Sequence, residues 1–196
     1  IFDTKKIIPE FCFGCYKVQV EVFTVLDLIR LSALFYKIPL KTNNNRKCMI
    51  ETRADVTGSY KGFIYCRGFS EAKEVKRILD QNIEVIDQNI RSKIKRGCSE
   101  YPVIFPEYGK IDENGDSKMS YPEDWELIEA EFDRGLSKNR SLSLNSLDQF
   151  CLSDILVIEK WIDYAKGIND HSISAFKDKP IIFNNVYELA KSRTIS

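Results

Sequence analysis

The residues with the most chemistry to offer are six cysteines, at positions 12, 15, 48, 66, 98 and 151. Cys12-Phe13-Gly14-Cys15 is a C-x-x-C pair, a spacing at which two thiolates reach one metal ion or one another, with Gly14 freeing the turn between them. Soft sulfur ligands suit tetrahedral Zn or an iron–sulfur cluster. The leading expectation is a Zn or Fe–S site held by Cys12 and Cys15 with Cys48, Cys66 or Cys98, in a binding or electron-transfer role. A thiol-dependent enzyme or redox protein built on Cys12 and Cys15 is a second use of the same residues, and it needs a lowered thiol pKa and a base folded in from elsewhere. Plain packing competes with both, because a buried Cys behaves as a small apolar side chain. Cys151, on an apolar helix stripe, is assigned to the core.

Lys61-Gly62-Phe63-Ile64-Tyr65-Cys66-Arg67-Gly68-Phe69, followed by Ser70-Glu71-Ala72-Lys73, offers a different chemistry. This stretch resembles the central strand and following helix of the RNA-recognition motif. The resemblance implies an open sheet face on which Lys61, Phe63 and Tyr65, with Lys17 from the first strand, take single-stranded nucleic acid by stacking. The first strand departs from that family by placing Tyr16 with the core valines. A protein partner on the same face is the other form of this non-catalytic reading.

Asp112, Asn114, Asp116 and Glu123 have the spacing of oxygen ligands in an EF-hand calcium loop. Ser117 stands where the sharp turn wants Gly, Pro102 and Pro106 break an entering helix, and an Asn114-Gly115 hairpin accounts for the same residues. The single histidine, His171, lies in a polar stretch and reads as a solvated loop residue. The chain has no Gly-rich phosphate loop and no G-x-S-x-G elbow, so nucleotide-dependent and serine-hydrolase readings lack support.

The elements that must position these groups follow from periodicity. Val18, Val20 and Val22 alternate with polar residues, the pattern of a half-buried strand. Thr24 caps a helix whose Val25, Leu28, Leu31, Leu34 and Phe35 recur at helical spacing up to Pro39. Strands are expected at 46–53 and 60–66, a helix from Ser70 to about Ile86, and an irregular strand from Ser92 to Phe105. The order is β-α-β-β-α-β. It predicts an α+β protein: a ferredoxin-like split βαβ (βαββαβ) antiparallel sheet with two helices on one face, plus a C-terminal hairpin and helical extension. The units expected are a segment 1–15, a ferredoxin-like domain 16–106, and an extension 107–196. That extension comprises a hairpin at 107–121, a helix from Pro122, a Ser-rich loop, a helix Leu147–Ala165 capped by Asn145 or Ser146, and a short helix 186–191. In this topology the starts of the first two strands and the ends of the last two share one edge, which draws several of the cysteines together.

Composition narrows the field. The 29 Lys plus Arg balance 29 Asp plus Glu, which argues against a strongly basic nucleic-acid binder. Hydrophobic residues make up 43% of the chain, enough for a folded core without disulfide staples. Val22 to Pro39 is interrupted by Asp27, Arg30 and Lys37, so no membrane partner is expected. The chain begins at Ile1 without a signal-peptide pattern or an initiating Met, and reads as a fragment or processed chain. Six Cys could make three disulfides, but 196 residues is far above the size at which small secreted domains depend on such staples, so a reducing, cytoplasmic compartment is expected.

Overall fold

The computed structural model describes residues 1–135 and 151–176. Two short helices, α1 (Phe2–Lys5) and α2 (Glu10–Phe13), lead into strand β1 (Cys15–Val22). Thr24 then caps α3 (Val25–Lys37), its hydroxyl oxygen accepting from the Asp27 backbone N–H at 3.1 Å. β2 (Arg46–Ile50) and β3 (Tyr60–Arg67) follow, then α4 (Phe69–Ile83) and β4 (Ser92–Arg96). All three ladders are antiparallel and the sheet order is β2-β3-β1-β4.

The alternation of β1 sends Tyr16, Val18, Val20 and Val22 to one face. There they meet Val25, Leu28, Leu31 and Phe35 of α3 and Ala72, Val75, Leu79 and Ile83 of α4 in one continuous core. Gly62 is where α3 lies closest to the sheet: a Cβ there would fall 2.6 Å from Leu31 Cδ2 and 2.9 Å from Phe35 Cζ. The outer face of α4 is laced by the Glu74–Arg77 and Lys76–Asp80 ion pairs, the solvated charge run its sequence suggests.

Several boundaries differ from expectation for physical reasons. α4 begins at Phe69 with Gly68 as its N-cap, because Gly68 adopts φ 96°, a turn that a Ser70 cap does not need. β4 stops at Arg96; Pro102 then sits in a single 3-10 turn, Tyr101–Val103, rather than in an irregular strand. The hairpin expected at 107–121 is reduced to one antiparallel bridge, Ile111 with Ser117, because Pro106 opens a helical turn, α5 (Pro106–Gly109). Asp124–Gly135 forms α6. α7 spans Leu152–Gly167 and is capped by Cys151, whose extended backbone places it ahead of the helix rather than on its apolar stripe. The 136–150 loop, the Leu147 helix start and the 186–191 helix lie outside the described residues.

α7 packs on the α3 side of the molecule through Trp161 and Ala165. Behind it Asp170 acts as a clamp: one carboxylate oxygen accepts from the Val25 backbone N–H and the Tyr60 hydroxyl, both at 2.7 Å, while Ser172 donates to the other. A second, smaller core gathers Ile8, Cys12 and Tyr108 with Phe13, Tyr101, Phe105 and Trp125 at the end of the sheet where β1 begins. Arg96 joins the two cores. It is 4% exposed, lies over the rings of Tyr16 and Tyr108, and donates to the carbonyls of Phe13 and Tyr108. Among the described residues no helix is long and apolar enough to cross a membrane.

Candidate thiol site

The tight α2 turn, closed by Gly14 N–H donating to the Phe11 carbonyl, delivers Cys12 inward and Cys15 to the first position of β1. Cys12 is 2% exposed. From the other side, β4 runs past β1 so that the Gly97 N–H donates to the Cys15 carbonyl at 3.0 Å, and the next residue is Cys98. Gly97 is required here: the Cys15 sulfur occupies the space in which any Cβ at 97 would stand, only 2.3 Å away. Cys98 packs against the small core that holds Cys12, near enough for the two thiols to shift one another's titration, and the Tyr101 hydroxyl lies 3.5 Å from the Cys12 sulfur. The Tyr108 hydroxyl fixes the turn by donating to the Cys12 carbonyl at 2.9 Å.

The electrostatics of the two paired thiols diverge. The Cys12 thiol brings the Cys98 pKa down to about 7, helped by the Tyr101 hydroxyl and the Lys17 ammonium and opposed by burial and by Glu100. Cys12 is pushed far up, first by Cys98 and then by its own burial. Burial, then the charge of Cys98, raises the Cys15 thiol, with Lys17 and Arg96 acting the other way. The half-buried Cys98 thus ionises near neutral pH, beside a buried thiol, Cys12, that keeps its proton.

Cys12, Cys15 and Cys98 are thus the three predicted ligands that the structure brings together. Cys66 and Cys48 lie on the opposite, helix-covered face of the sheet: Cys66 pairs with Tyr16, and Cys48 faces Gly62 beside Ser32. Burial pushes each of those thiols up to about 12. Among the described residues no group of three or more Cys, His, Asp or Glu side chains is arranged to hold a metal ion.

Lys17, Lys61, Phe63 and Tyr65 share the face of the sheet turned away from α3 and α4, as their alternation requires. Three of them are buried there: Lys61 is 3% exposed, Lys17 6% and Phe63 7%, with the Lys17 ammonium 5.2 Å from the Phe63 ring centre. Glu51 sits among them, held by Arg53 at 2.8 Å and Lys61 at 3.4 Å, and the Arg53 bond brings its pKa down to about 2. In the calcium-spaced loop, Asp112 turns its oxygen inward to accept the backbone N–H groups of Asn114 and Asp116, while Gly115 takes φ 90° and its carbonyl accepts from the Tyr16 hydroxyl. Asp116 lies beyond that turn and Glu123 precedes α6. His171 is exposed at the start of a 3-10 turn.

The residues that sequence reasoning missed are Tyr101, Gly97 and Glu100. Only their adjacency to Cys98, in Gly97-Cys98-Ser99-Glu100-Tyr101, marks them, and that is visible once Cys98 is known to face Cys12. Compared with protein families, with curated proteins and with solved structures, the chain matches none.

Proposed function

We propose that the protein exchanges thiols with disulfides through a redox pair formed by Cys12 and Cys98. The observation that carries this reading is the packing of a half-buried thiol, Cys98, whose pKa is brought down toward neutrality, against the small core that holds a buried thiol, Cys12. A nucleophile must be reachable and ionised, while the residue that resolves the intermediate need only be adjacent and protonated until its turn. The Cys98 thiolate attacks a substrate S–S bond, forming a mixed disulfide and expelling one substrate thiolate. Cys12 then passes its proton to that departing thiolate and attacks the Cys98 sulfur. The second substrate sulfur leaves and is protonated by solvent. Two electrons pass from the pair to the substrate, leaving a Cys12–Cys98 disulfide and two free substrate thiols.

The βαββαβ order, the β2-β3-β1-β4 sheet and the placement of α3 and α4 on one face support a ferredoxin-like split βαβ scaffold beneath this site. A Zn or Fe–S centre is the competing use of these cysteines, although among the described residues no three such side chains are arranged to hold one. Equilibration in a glutathione redox buffer, followed by acid quench, alkylation and peptide mapping, separates the two. A Cys12–Cys98 disulfide with a reduction potential between about −300 and −180 mV is the expected result. Stoichiometric Zn or Fe in protein purified without oxygen, with Cys12, Cys15 and Cys98 protected until chelation, would replace the redox pair with a metal site.

A further inference from the structure

On the face that carries Cys15, residues opposite one another in the β1–β4 ladder point to the same side, and Lys17 pairs directly with Lys95. Like charges in directly opposed positions destabilise a sheet, and Lys17 is buried. The neighbouring cations are already spoken for: Lys61 and Arg53 bind Glu51, and Lys93 binds Glu21 at 3.0 Å. Among the described residues neither Lys17 nor Lys95 makes an ion pair. The acidic groups that reach them are Glu100, near Lys17, and Glu21, near Lys95. Burial lowers both amine pKa values, and each also feels other cations, Lys95 and Arg53 at Lys17, Lys93 and Lys61 at Lys95. Lys17 is close enough to Cys98 for each to shift the other's titration.

We infer that the Lys17–Lys95 pair is a seat for a carboxylate, so that the substrate of Cys98 is a low-molecular-weight or peptide disulfide bearing negative charge close to its sulfurs. This rests on the redox reading of Cys12 and Cys98. A carboxylate placed between the two amines relieves their repulsion and brings the S–S bond to the thiolate. A cationic disulfide meets repulsion at the same place.

The test compares three aliphatic disulfides, dianionic 3,3′-dithiodipropionate, neutral bis(2-hydroxyethyl) disulfide and dicationic cystamine, each rate being divided by the rate at which the same disulfide reacts with a free small thiol, which removes differences in leaving-group pKa. The readout is the rate at which each converts the reduced protein to the Cys12–Cys98 form. The ratio of anionic to neutral rates cancels any change in thiolate fraction. At low ionic strength that ratio should exceed the cationic-to-neutral ratio by about tenfold or more, shrink at 0.5 M salt, and fall several-fold in Lys95→Gln and further in Lys95→Glu. A ratio unaffected by salt and by both substitutions would overturn the seat while leaving the redox pair intact. Failure of the neutral disulfide to produce a Cys12–Cys98 bond would instead remove the pair, and the seat with it. A single-stranded oligonucleotide that blocked all three disulfides equally would assign the face to nucleic acid and likewise overturn the seat.

Discussion

At the scale of single residues, the divergence of Cys12 and Cys98 makes a direct pH prediction. Cys98 is lowered in the fold, first through the Cys12 thiol, so its thiolate is present above about pH 7 and is lost as pH falls through that value. The rate of iodoacetamide alkylation at Cys98 should therefore rise about tenfold per pH unit below 7 and level off above it. Cys12→Ala removes that neighbour and returns Cys98 toward an ordinary thiol. At pH 6.5 its alkylation should slow by between about 10- and 100-fold, with a midpoint displaced toward 8.5 or higher. An unchanged profile would mean that Cys12 does not hold Cys98 ionised. Sequence alone reached part of this site. C-x-x-C marked Cys12 and Cys15, and the shared sheet edge drew Cys98 toward them. It could not place Cys98 against the core that holds Cys12, because that core is built from segments far apart in sequence. Cys48 and Cys66 were drawn to the edge by proximity along the strand, yet strand parity sends both to the helix-covered face.

At the scale of elements, the strongly periodic segments were the legible ones. β1, α3, β3 and α4 each carry a pattern that tertiary packing reinforces, so α3 and α4 bury the residues that their spacing selects. The stretch after Arg96 was not legible, since proline, aromatic and polar residues there serve a second small core built from segments far apart in sequence. Tyr108, for example, bonds a carbonyl 96 positions earlier. Gly62 illustrates the reverse case, in which one residue sets how two elements meet. Its missing side chain lets Leu31 and Phe35 of α3 rest on β3, and both of those neighbours are buried. Gly62→Ala should overpack this contact and cost about 1–3 kcal/mol, read as a lower urea midpoint with an unchanged slope. An equal or higher midpoint would mean that α3 can lift from the sheet without loss. By the same parity Lys61 and Phe63, which flank Gly62, face the opposite side of the sheet and should not respond to repacking of α3.

At the scale of the whole molecule, the proposed disulfide joins the N-terminal turn to the segment beyond β4, so the loop it closes contains the entire four-stranded sheet with α3 and α4. A cross-link acts largely by restricting the unfolded chain, and one that spans residues 12 to 98 is worth at most about 4–5 kcal/mol by chain entropy. Cys98 already packs against the small core that contains Cys12, so the bond joins two segments that the fold has brought together. Oxidation should also fasten the second core, because Cys12 packs there beside Ile8 and Tyr108 and its carbonyl receives the Tyr108 hydroxyl. The oxidised protein is therefore expected to melt about 10–15 °C above the reduced protein at the same pH, and limited proteolysis should release the 1–11 segment more slowly from it. Cys98→Ser abolishes the cross-link but keeps a hydroxyl opposite Cys12, so its melting temperature should be the same with and without reductant and close to that of the reduced wild type. A wild-type protein whose melting temperature ignored the redox state, while peptide mapping found the Cys12–Cys98 bond intact, would show that the N-terminal turn already stays in contact with residue 98 in the unfolded chain, leaving little entropy for the cross-link to remove.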